Sequence, residues 1–207
     1  EAAMIVVGID PGKTIGLCAY DSDAKRVVRC LSTQDPVEAL YWVEEFNVAD
    51  PIGIERARIY RMGGGDVANT IEQVGWFLAS LQADLPQGNE AIIDCDGAYT
   101  VERRAVVAAL GDVVGQTVLK DGGVWAALCD LHPDAMRAPV AGRPGKPAEP
   151  PRLRSGSKTQ WTKGKPAVAA IEAVPAGPLY GVTSHCRAAL AVAWTLARHL
   201  ENSSTGK

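Results

Sequence analysis

The chain contains 207 residues, 47% of them apolar and 22% charged, and its formal net charge is −3. These totals predict an ordinary globular protein of one domain, and no apolar run approaches the roughly 20 residues of a membrane span. The weak negative charge excludes nucleic-acid binding through overall charge, so only a local concentration of basic residues would support it.

The cysteines are odd in number, scattered, and form no CxxC pair. This pattern argues against a zinc site and predicts buried free thiols in a reducing compartment. Residues 1–3 precede Met4 and are interpreted as a remnant of cloning. The expected single domain therefore spans residues 4–200. The cysteines are Cys18, Cys30, Cys95, Cys129 and Cys186.

Three strands are predicted at the start of the domain. The β-branched run Ile5–Ile9 is typical of a strand buried on both faces, and it ends in an acid, Asp10. After a Pro-Gly turn the chain continues into the strands Ile15–Tyr20 and Arg26–Leu31. A carboxylate at the mouth of a buried hairpin is costly unless a positive group meets it. Alternatively, Asp10 only stabilises the turn through its side chain.

A second acid ends a second buried strand. Helical spacing predicts a helix over Pro36–Phe46, with proline suited to its first turn. The following short apolar segment, Pro51–Glu55, reads as a strand that again finishes in a carboxylate. Two strands ending in acids indicate a site more strongly than either does alone.

The middle of the chain alternates helices with one strand. An amphipathic helix is predicted over Asp66–Leu85, followed by a strand over Ala91–Cys95. The next helix is expected to begin at an N-cap Thr100, with Glu102 near its positive end, and to run to Leu110. Another helix is predicted over Gly123–Leu131.

The composition changes between residues 137 and 166, where eight Lys or Arg stand against one acid among Pro, Gly and Ser. Such a segment cannot form packed core. We interpret it as a flexible basic arm that follows a phosphate backbone, with Trp161 available to stack on a base. The alternative is a solvated loop without a function. Its candidate contacts are Lys158, Lys163 and Lys165.

An apolar helix closes the chain. Ser184 is its predicted N-cap, His185 lies in its first turn, and the helix is expected to end near Leu200. Residues 201–207 are predicted to fray. The whole order of elements predicts an α/β domain, a mixed five-stranded sheet with helices on both faces.

This order, with acids on the first and fourth strands, resembles the ribonuclease H-like fold. Within that fold the chain resembles RuvC-type Holliday-junction resolvases, especially their phage-type relatives. The resemblance rests on Gly8–Gly16, on Ile52–Glu55 and on Ser184–Ala193, with support from residues 100–128. It implies a cytoplasmic endonuclease of DNA recombination and repair, from a bacterium or a phage-infected cell.

The resemblance implies a hydrolase that uses two Mg²⁺ ions, with Mn²⁺ as a substitute. Two ions about 4 Å apart would activate water and stabilise the leaving oxygen of a phosphodiester, and carboxylates are suitable ligands. Asp10 would bridge the ions, Glu55 would bind one, and His185 would bind a metal or position the water. A capping or core histidine is the alternative for His185.

The resemblance also implies a DNA interface. Tyr60 would wedge against an opened base at a branch, with arginines of the same loop holding phosphates; alternatively Tyr60 packs on the sheet edge. The further phosphate candidates are each alternatively a plain surface charge. Candidates outside the basic arm are Lys13, Arg56, Arg58, Tyr60, Arg61, Arg103, Arg104 and Lys120.

One position departs from the resolvase pattern. The last helix typically carries His-x-x-Asp, with the aspartate completing the metal site, but Ala188 stands at that spacing here. Either the residue was mutated to trap an inactive enzyme, or this branch lacks the acid naturally. In the second case another acid would substitute. The candidates are Asp94, Asp96, Asp121 and Glu172.

Several alternatives stay open. A four-way junction favours a homodimer, with the helix 66–85 as its interface, although this helix could instead pack on its own sheet. A sugar-kinase or actin-like ATPase would share the first hairpin, but it needs two such domains. A degenerate, non-catalytic branched-DNA-binding protein would explain Ala188. A nuclease for forks or RNA–DNA hybrids is a further reading.

Overall fold

A computed structural model describes residues 4–46, 50–56, 65–115, 121–132, 178–179, 182 and 184–205. Six strands and five helices lie in these ranges. The strands are β1 (Ile5–Asp10), β2 (Ile15–Asp21), β3 (Arg26–Thr33), β4 (Ile52–Arg56), β5 (Ile92–Asp94) and β6 (Tyr99–Glu102). The helices are α1 (Pro36–Glu44), α2 (Gly65–Ser80), α3 (Arg103–Val114), α4 (Asp121–Leu131) and α5 (Ser184–Thr205).

The strands form one mixed sheet in the order β3-β2-β1-β4-β6-β5. The opening strands β1, β2 and β3 pair antiparallel, whereas β4 lies parallel to β1 and β6 lies parallel to β4. The predicted α/β class is confirmed. The predicted count of five strands is wrong, because a sixth strand separates β4 from the edge.

The additional strand is β6, where the sequence predicted a helix capped by Thr100. Thr100 and Val101 are fully buried and pair with Ile54 and Glu55 of β4. A run of aromatic and β-branched residues beside a central strand favours extended backbone over helix. The helix α3 begins only at Arg103, and Glu102 is its N-cap residue without a side-chain capping bond.

Other element boundaries also differ from the prediction. The predicted strand at residues 91–95 is the short edge strand β5 (Ile92–Asp94), which pairs antiparallel with β6. Helix α2 ends at Ser80 rather than near residue 85. Helix α5 starts with Ser184 as a helical residue and continues to Thr205, through the tail expected to fray.

Helices cover both faces of the sheet, as predicted. One core cluster joins the sheet to α3, α4 and α5, and the other joins it to α1 and α2. Val74, Phe77 and Leu78 of α2 are buried in the second cluster. These side chains therefore pack on their own sheet and are not available to a second copy.

The described thiols agree with the prediction of free cysteines. All five cysteines are unbridged, and only Cys30 is more than slightly exposed. Among the described residues, no helix is long and apolar enough to cross a bilayer.

Candidate active site

The two strand-ending acids lie side by side. Strands β1 and β4 are parallel neighbours, and Ile9 pairs with Ile54. The next residues along the two strands are Asp10 and Glu55, so their backbones stand one strand spacing apart, about 4.8 Å. Both residues are half-buried. The register thus brings together the two carboxylates that the sequence singled out.

Glycines show which face of the sheet these acids occupy. A Cβ built on Gly8 would overlap the backbone of Ala189 and lie 2.8 Å from the nitrogen of Ala193, both in α5. A Cβ on Gly53 would lie 3.0 Å from the Val192 side chain in the same helix. Since side chains alternate along a strand, Asp10 and Glu55 project to the α5 face, two residues beyond these glycines.

The first turn of α5 lies at the same end of the sheet. Gly16 is the register partner of Asp10, and a Cβ on Gly16 would lie 2.6 Å from the carbonyl carbon of His185. Gly8 meets α5 at Ala189, whereas Gly16, opposite Asp10, meets it at His185. The residue numbers fall along α5 as they rise along β1, so α5 runs antiparallel to β1. The backbone of His185 therefore lies against Gly16, the register partner of Asp10, while its side chain is exposed.

The same helical geometry locates position 188. Val192 covers Gly53, and residue 188 precedes Val192 by one helical turn, about 5.4 Å. Glu55 lies two residues beyond Gly53 along β4, about 6.6 Å away. Because α5 runs antiparallel to the strand, both steps lead to the same end of the sheet. Position 188 therefore lies one turn before Val192, toward the end of the sheet that carries Glu55. Its alanine supplies no carboxylate there.

The cluster is incomplete as a metal site. In the ranges that the structure describes, no group of three or more His, Cys, Asp or Glu side chains is arranged to hold a metal ion. Asp94 and Asp96 do not fill the gap. Both are exposed, and Asp94 lies on β5, two strands away from Glu55. Asp121 begins α4 with its side chain outside the described set, and Glu172 lies outside the described residues.

Arg103 places positive charge at the same end of the sheet. Its Nη1 lies 3.8 Å from Oε2 of Glu55, and both side chains are largely withdrawn from solvent. A guanidinium at this distance attracts the carboxylate and holds it at this end of the sheet. Sequence reasoning identified Arg103 as a phosphate candidate and missed its position beside Glu55.

The neighbouring arginines hold Glu102. Oε1 of Glu102 lies 2.7 Å from Nη2 of Arg56, and Oε2 lies 2.6 Å from Nε of Arg104. Arg56 also donates to the carbonyl of Glu90 at 2.8 Å, and Arg104 donates to that of Asn89 at 2.6 Å. These contacts tie the segment before β5 to β4 and β6. They give both arginines a structural role besides the predicted phosphate contacts.

Replacing Glu102 by glutamine is expected to destabilise the fold. The carboxylate is only 3% exposed, and losing its charge leaves the partly buried guanidinium of Arg56 without its partner, at a cost of about 3 kcal/mol. Urea denaturation of Glu102→Gln measures this loss. The matched control is Glu72→Gln on the exposed face of α2, which is expected to change stability by less than about 0.5 kcal/mol. Equal stability of both variants would contradict a stabilising role for the ion pairs of Glu102 with Arg56 and Arg104.

Two residues that the sequence did not single out anchor the first turn of α5. The Cys186 thiol donates to the carbonyl of Leu31 at 3.2 Å. The Arg187 guanidinium lies 4.7 Å from the ring centre of Trp125 in α4, and burial lowers its pKa from the usual value. Together they fix the turn that carries His185 between the edge of the sheet and α4.

Other predicted DNA contacts divide into two groups. Lys13 is exposed in the turn directly after β1, at the end of the sheet that carries Asp10. The remaining candidates lie outside the described residues, as does the whole basic arm at 137–166, and they stay predictions. These candidates are Arg58, Tyr60, Arg61, Lys120, Lys158, Trp161, Lys163 and Lys165.

No family model and no curated protein matches the chain. Among solved structures, RuvC of Thermus thermophilus in complex with a Holliday junction substrate matches with a TM-score of 0.50 and 16% identity, over 96% of both chains. The chain has the RuvC fold. A second Thermus thermophilus RuvC structure matches with a TM-score of 0.50 and 18% identity, over 97% of both chains.

The RuvC fold confirms the predicted ribonuclease H-like architecture. At 16–18% identity the similarity establishes the fold alone, so the chemistry has to be argued from the residues of this chain. Those residues are the carboxylates of Asp10 and Glu55 and the first turn of α5.

Proposed function

We propose that this protein is a structure-selective endodeoxyribonuclease that resolves four-way DNA junctions by metal-dependent hydrolysis. The observation that carries the proposal is the pair Asp10 and Glu55 at the carboxyl ends of neighbouring parallel strands, with His185 on the helix turn beside them. A similar structure is a RuvC complex with a Holliday junction substrate, which supports branched DNA as the substrate class.

The donor set partly fits divalent metal. Two carboxylates at one edge suit Mg²⁺, which prefers oxygen ligands and retains several waters. Asp10 and Glu55 would hold the metal, and Ala188 cannot supply a further carboxylate. Bound metal would activate the attacking water and neutralise the leaving oxygen. Reduced activity of the chain as it stands is part of the proposal.

The other residues of the chain bind and orient the substrate. Lys13 and Arg103 flank the two carboxylates and would contact phosphates on either side of the scissile bond. His185 is exposed on the first turn of α5, and it would position the attacking water. In the reaction the water oxygen forms a bond to phosphorus and gives up a proton, while the bond to the leaving oxygen breaks and that oxygen takes up a proton to become a hydroxyl.

Junction symmetry supports a homodimer. Two symmetric nicks need two sites related by a two-fold axis. The outward side of α2 carries Ile71, which is 39% exposed, whereas its inward side packs on the sheet. We propose that a dimer would use this outward side. Light scattering of the purified chain measures its mass.

The test is Asp10→Asn on a labelled four-way junction and a matched duplex, with and without Mg²⁺. The variant is expected to lose at least about 100-fold of any metal-dependent cleavage, because a bridging ligand contributes several kcal/mol to the transition state. Selective junction binding should persist in a gel-shift assay. The control is Asp112→Asn, an exposed residue of α3. Equal loss in both variants, or unchanged cleavage by Asp10→Asn, would overturn the assignment.

A second function is favoured by Ala188. A branched-DNA-binding protein with a degenerate nuclease site needs the fold and the basic residues but no third carboxylate. It predicts selective junction binding without metal-dependent nicking in either the chain itself or its Ala188→Asp variant. Fork and RNA–DNA hybrid substrates in the same assay separate a strict resolvase from a broader nuclease.

A further inference from the structure

A polar pocket lies at the end of the sheet opposite the two carboxylates. Tyr20 lies four residues beyond Gly16 along β2, about 14 Å away. The pocket has a volume of about 170 Å³, and the turn after β2 and the C-terminal half of α5 form most of its wall. The residues that matter for its chemistry are Tyr20, Lys25, His132, Trp194, Arg198 and Glu201.

A buried pair forms the floor of this pocket. Tyr20 and His132 are 2% and 4% exposed, and the Tyr20 hydroxyl lies 2.9 Å from Nε2 of His132. Nδ1 of the same ring lies 2.6 Å from the carbonyl of Leu128 and must donate to it. Nε2 is therefore the acceptor and the tyrosine hydroxyl is the donor. The hydroxyl oxygen retains capacity to accept one further hydrogen bond.

Both members of this pair are uncharged at neutral pH. Burial, and then the nearby Glu201 carboxylate, raise the pKa of Tyr20 above its usual value. Burial lowers the pKa of His132, and the Lys25 ammonium adds to that effect. The electrostatics of the pocket therefore depend on the charged side chains that line it and on the nearby Asp21 carboxylate, which also raises the pKa of Tyr20.

Two cations face one acid in this pocket. Within the described part of the chain, neither Lys25 nor Arg198 forms an ion pair with a carboxylate. The Arg198 guanidinium lies 5.8 Å from the ring centre of Trp194, which restricts its orientation. Lys25 has a φ of 50°, in a turn where Oδ1 of Asp21 accepts from the backbone nitrogens of Asp23 and Ala24. The turn thus holds the backbone of Lys25 beside the pocket, and its side chain is exposed.

We infer that this pocket binds the phosphate group of a small ligand or of a nucleic acid through Lys25 and Arg198. The two cations in the pocket wall favour an oxyanion, because a planar guanidinium with an ammonium matches phosphate oxygens. The volume is below the roughly 300–1,000 Å³ of sites for larger organic ligands, so a single phosphate group fits better than a whole nucleotide. The site is independent of the proposed nuclease centre.

The first experiment titrates the protein with inorganic phosphate by calorimetry at constant ionic strength, with chloride as the reference. Arg198→Gln is expected to weaken phosphate binding by about tenfold or more, because a charge-assisted hydrogen bond contributes at least that step in affinity. Lys25→Gly should do the same while relieving the positive φ, which keeps the fold intact. The control is Arg26→Gln, an exposed neighbour outside the pocket.

The second measurement locates the ligand. The ring ¹⁵N signals of His132 are expected to shift on addition of phosphate, and the shift should be lost in Arg198→Gln. A parallel titration with a short single-stranded oligonucleotide identifies the source of the phosphate. A response to inorganic phosphate alone indicates a free anion, and a response to both indicates a nucleic-acid phosphate. Absence of any response, equal effects of chloride, or equal affinity of all variants would overturn the site.

Discussion

Replacing Ala188 by aspartate is expected to raise the rate of metal-dependent junction cleavage by about 100-fold or more. One additional carboxylate at a metal site contributes several kcal/mol of transition-state stabilisation, and each 1.4 kcal/mol is about tenfold in rate. The gain should appear with Mg²⁺ or Mn²⁺ and disappear with a chelator.

The packing of α5 on β4 does not depend on the residue at position 188. Val192 and Leu196 cover Gly53, and the helix turn that precedes them reaches the level of Glu55. Ala188 is only half-buried, so an aspartate there has room and stays hydrated. Its carboxylate would face Glu55 from the helix while Asp10 faces it from the neighbouring strand.

The matched control is Ala188→Asn, which adds nearly the same volume without the charge. A metal-dependent rise in melting temperature provides a readout separate from activity, and it should be larger for Ala188→Asp than for the other two proteins. If Ala188→Asp cuts no faster than the parent chain, position 188 is not the missing ligand. If the parent already cuts as fast, another acid completes the site.

Replacing Gly8 by alanine is expected to cost about 3 kcal/mol of unfolding free energy or more, the upper range for overpacking a core. The added Cβ would overlap backbone atoms of Ala189 and Ala193. Backbone cannot escape by changing a rotamer, so α5 would have to move away from the sheet. The same displacement would separate His185 from Asp10.

Gly75→Ala provides the control for this substitution. Gly75 lies within α2, and a Cβ there would meet nothing within 4 Å. Alanine in the interior of an exposed helix face is expected to stabilise by up to about 1 kcal/mol. Chemical denaturation of the two variants should therefore give changes of opposite sign. A Gly8→Ala protein as stable as the parent would show that α5 does not rest on β1 at this position.

The strands that begin the chain were predictable because burial on both faces leaves an uninterrupted apolar run, as in Ile5–Ile9. Strand β6 was not predictable. Its four residues lie directly before a helix, and their polar side chains are of the types that also begin helices. Thr100 and Glu102 both suit a helix N-terminus by residue type. The neighbouring strand β4 decides the outcome, and its pairing is not visible in the local sequence.

The candidate site divides in the same way. The proximity of Asp10 and Glu55 was predictable, because each ends a buried strand and parallel neighbouring strands bring such ends together. The role of Arg56 could not be read from its surroundings, since its partner Glu102 lies 46 residues further along the chain. The glycines at positions 8, 16 and 53 were visible, but their function depends on a helix that begins more than 130 residues later.

Gly8 and Gly16 also make the position of α5 independent of the side chain at residue 188. Helix α5 rests on β1 through main-chain atoms, so its position is set without any contribution from the side chain at residue 188. A carboxylate can therefore be lost or regained there while the packing of α5 on the sheet stays unchanged. Under the proposed function, the presence or absence of cutting would thus depend on one side chain that the fold itself does not need.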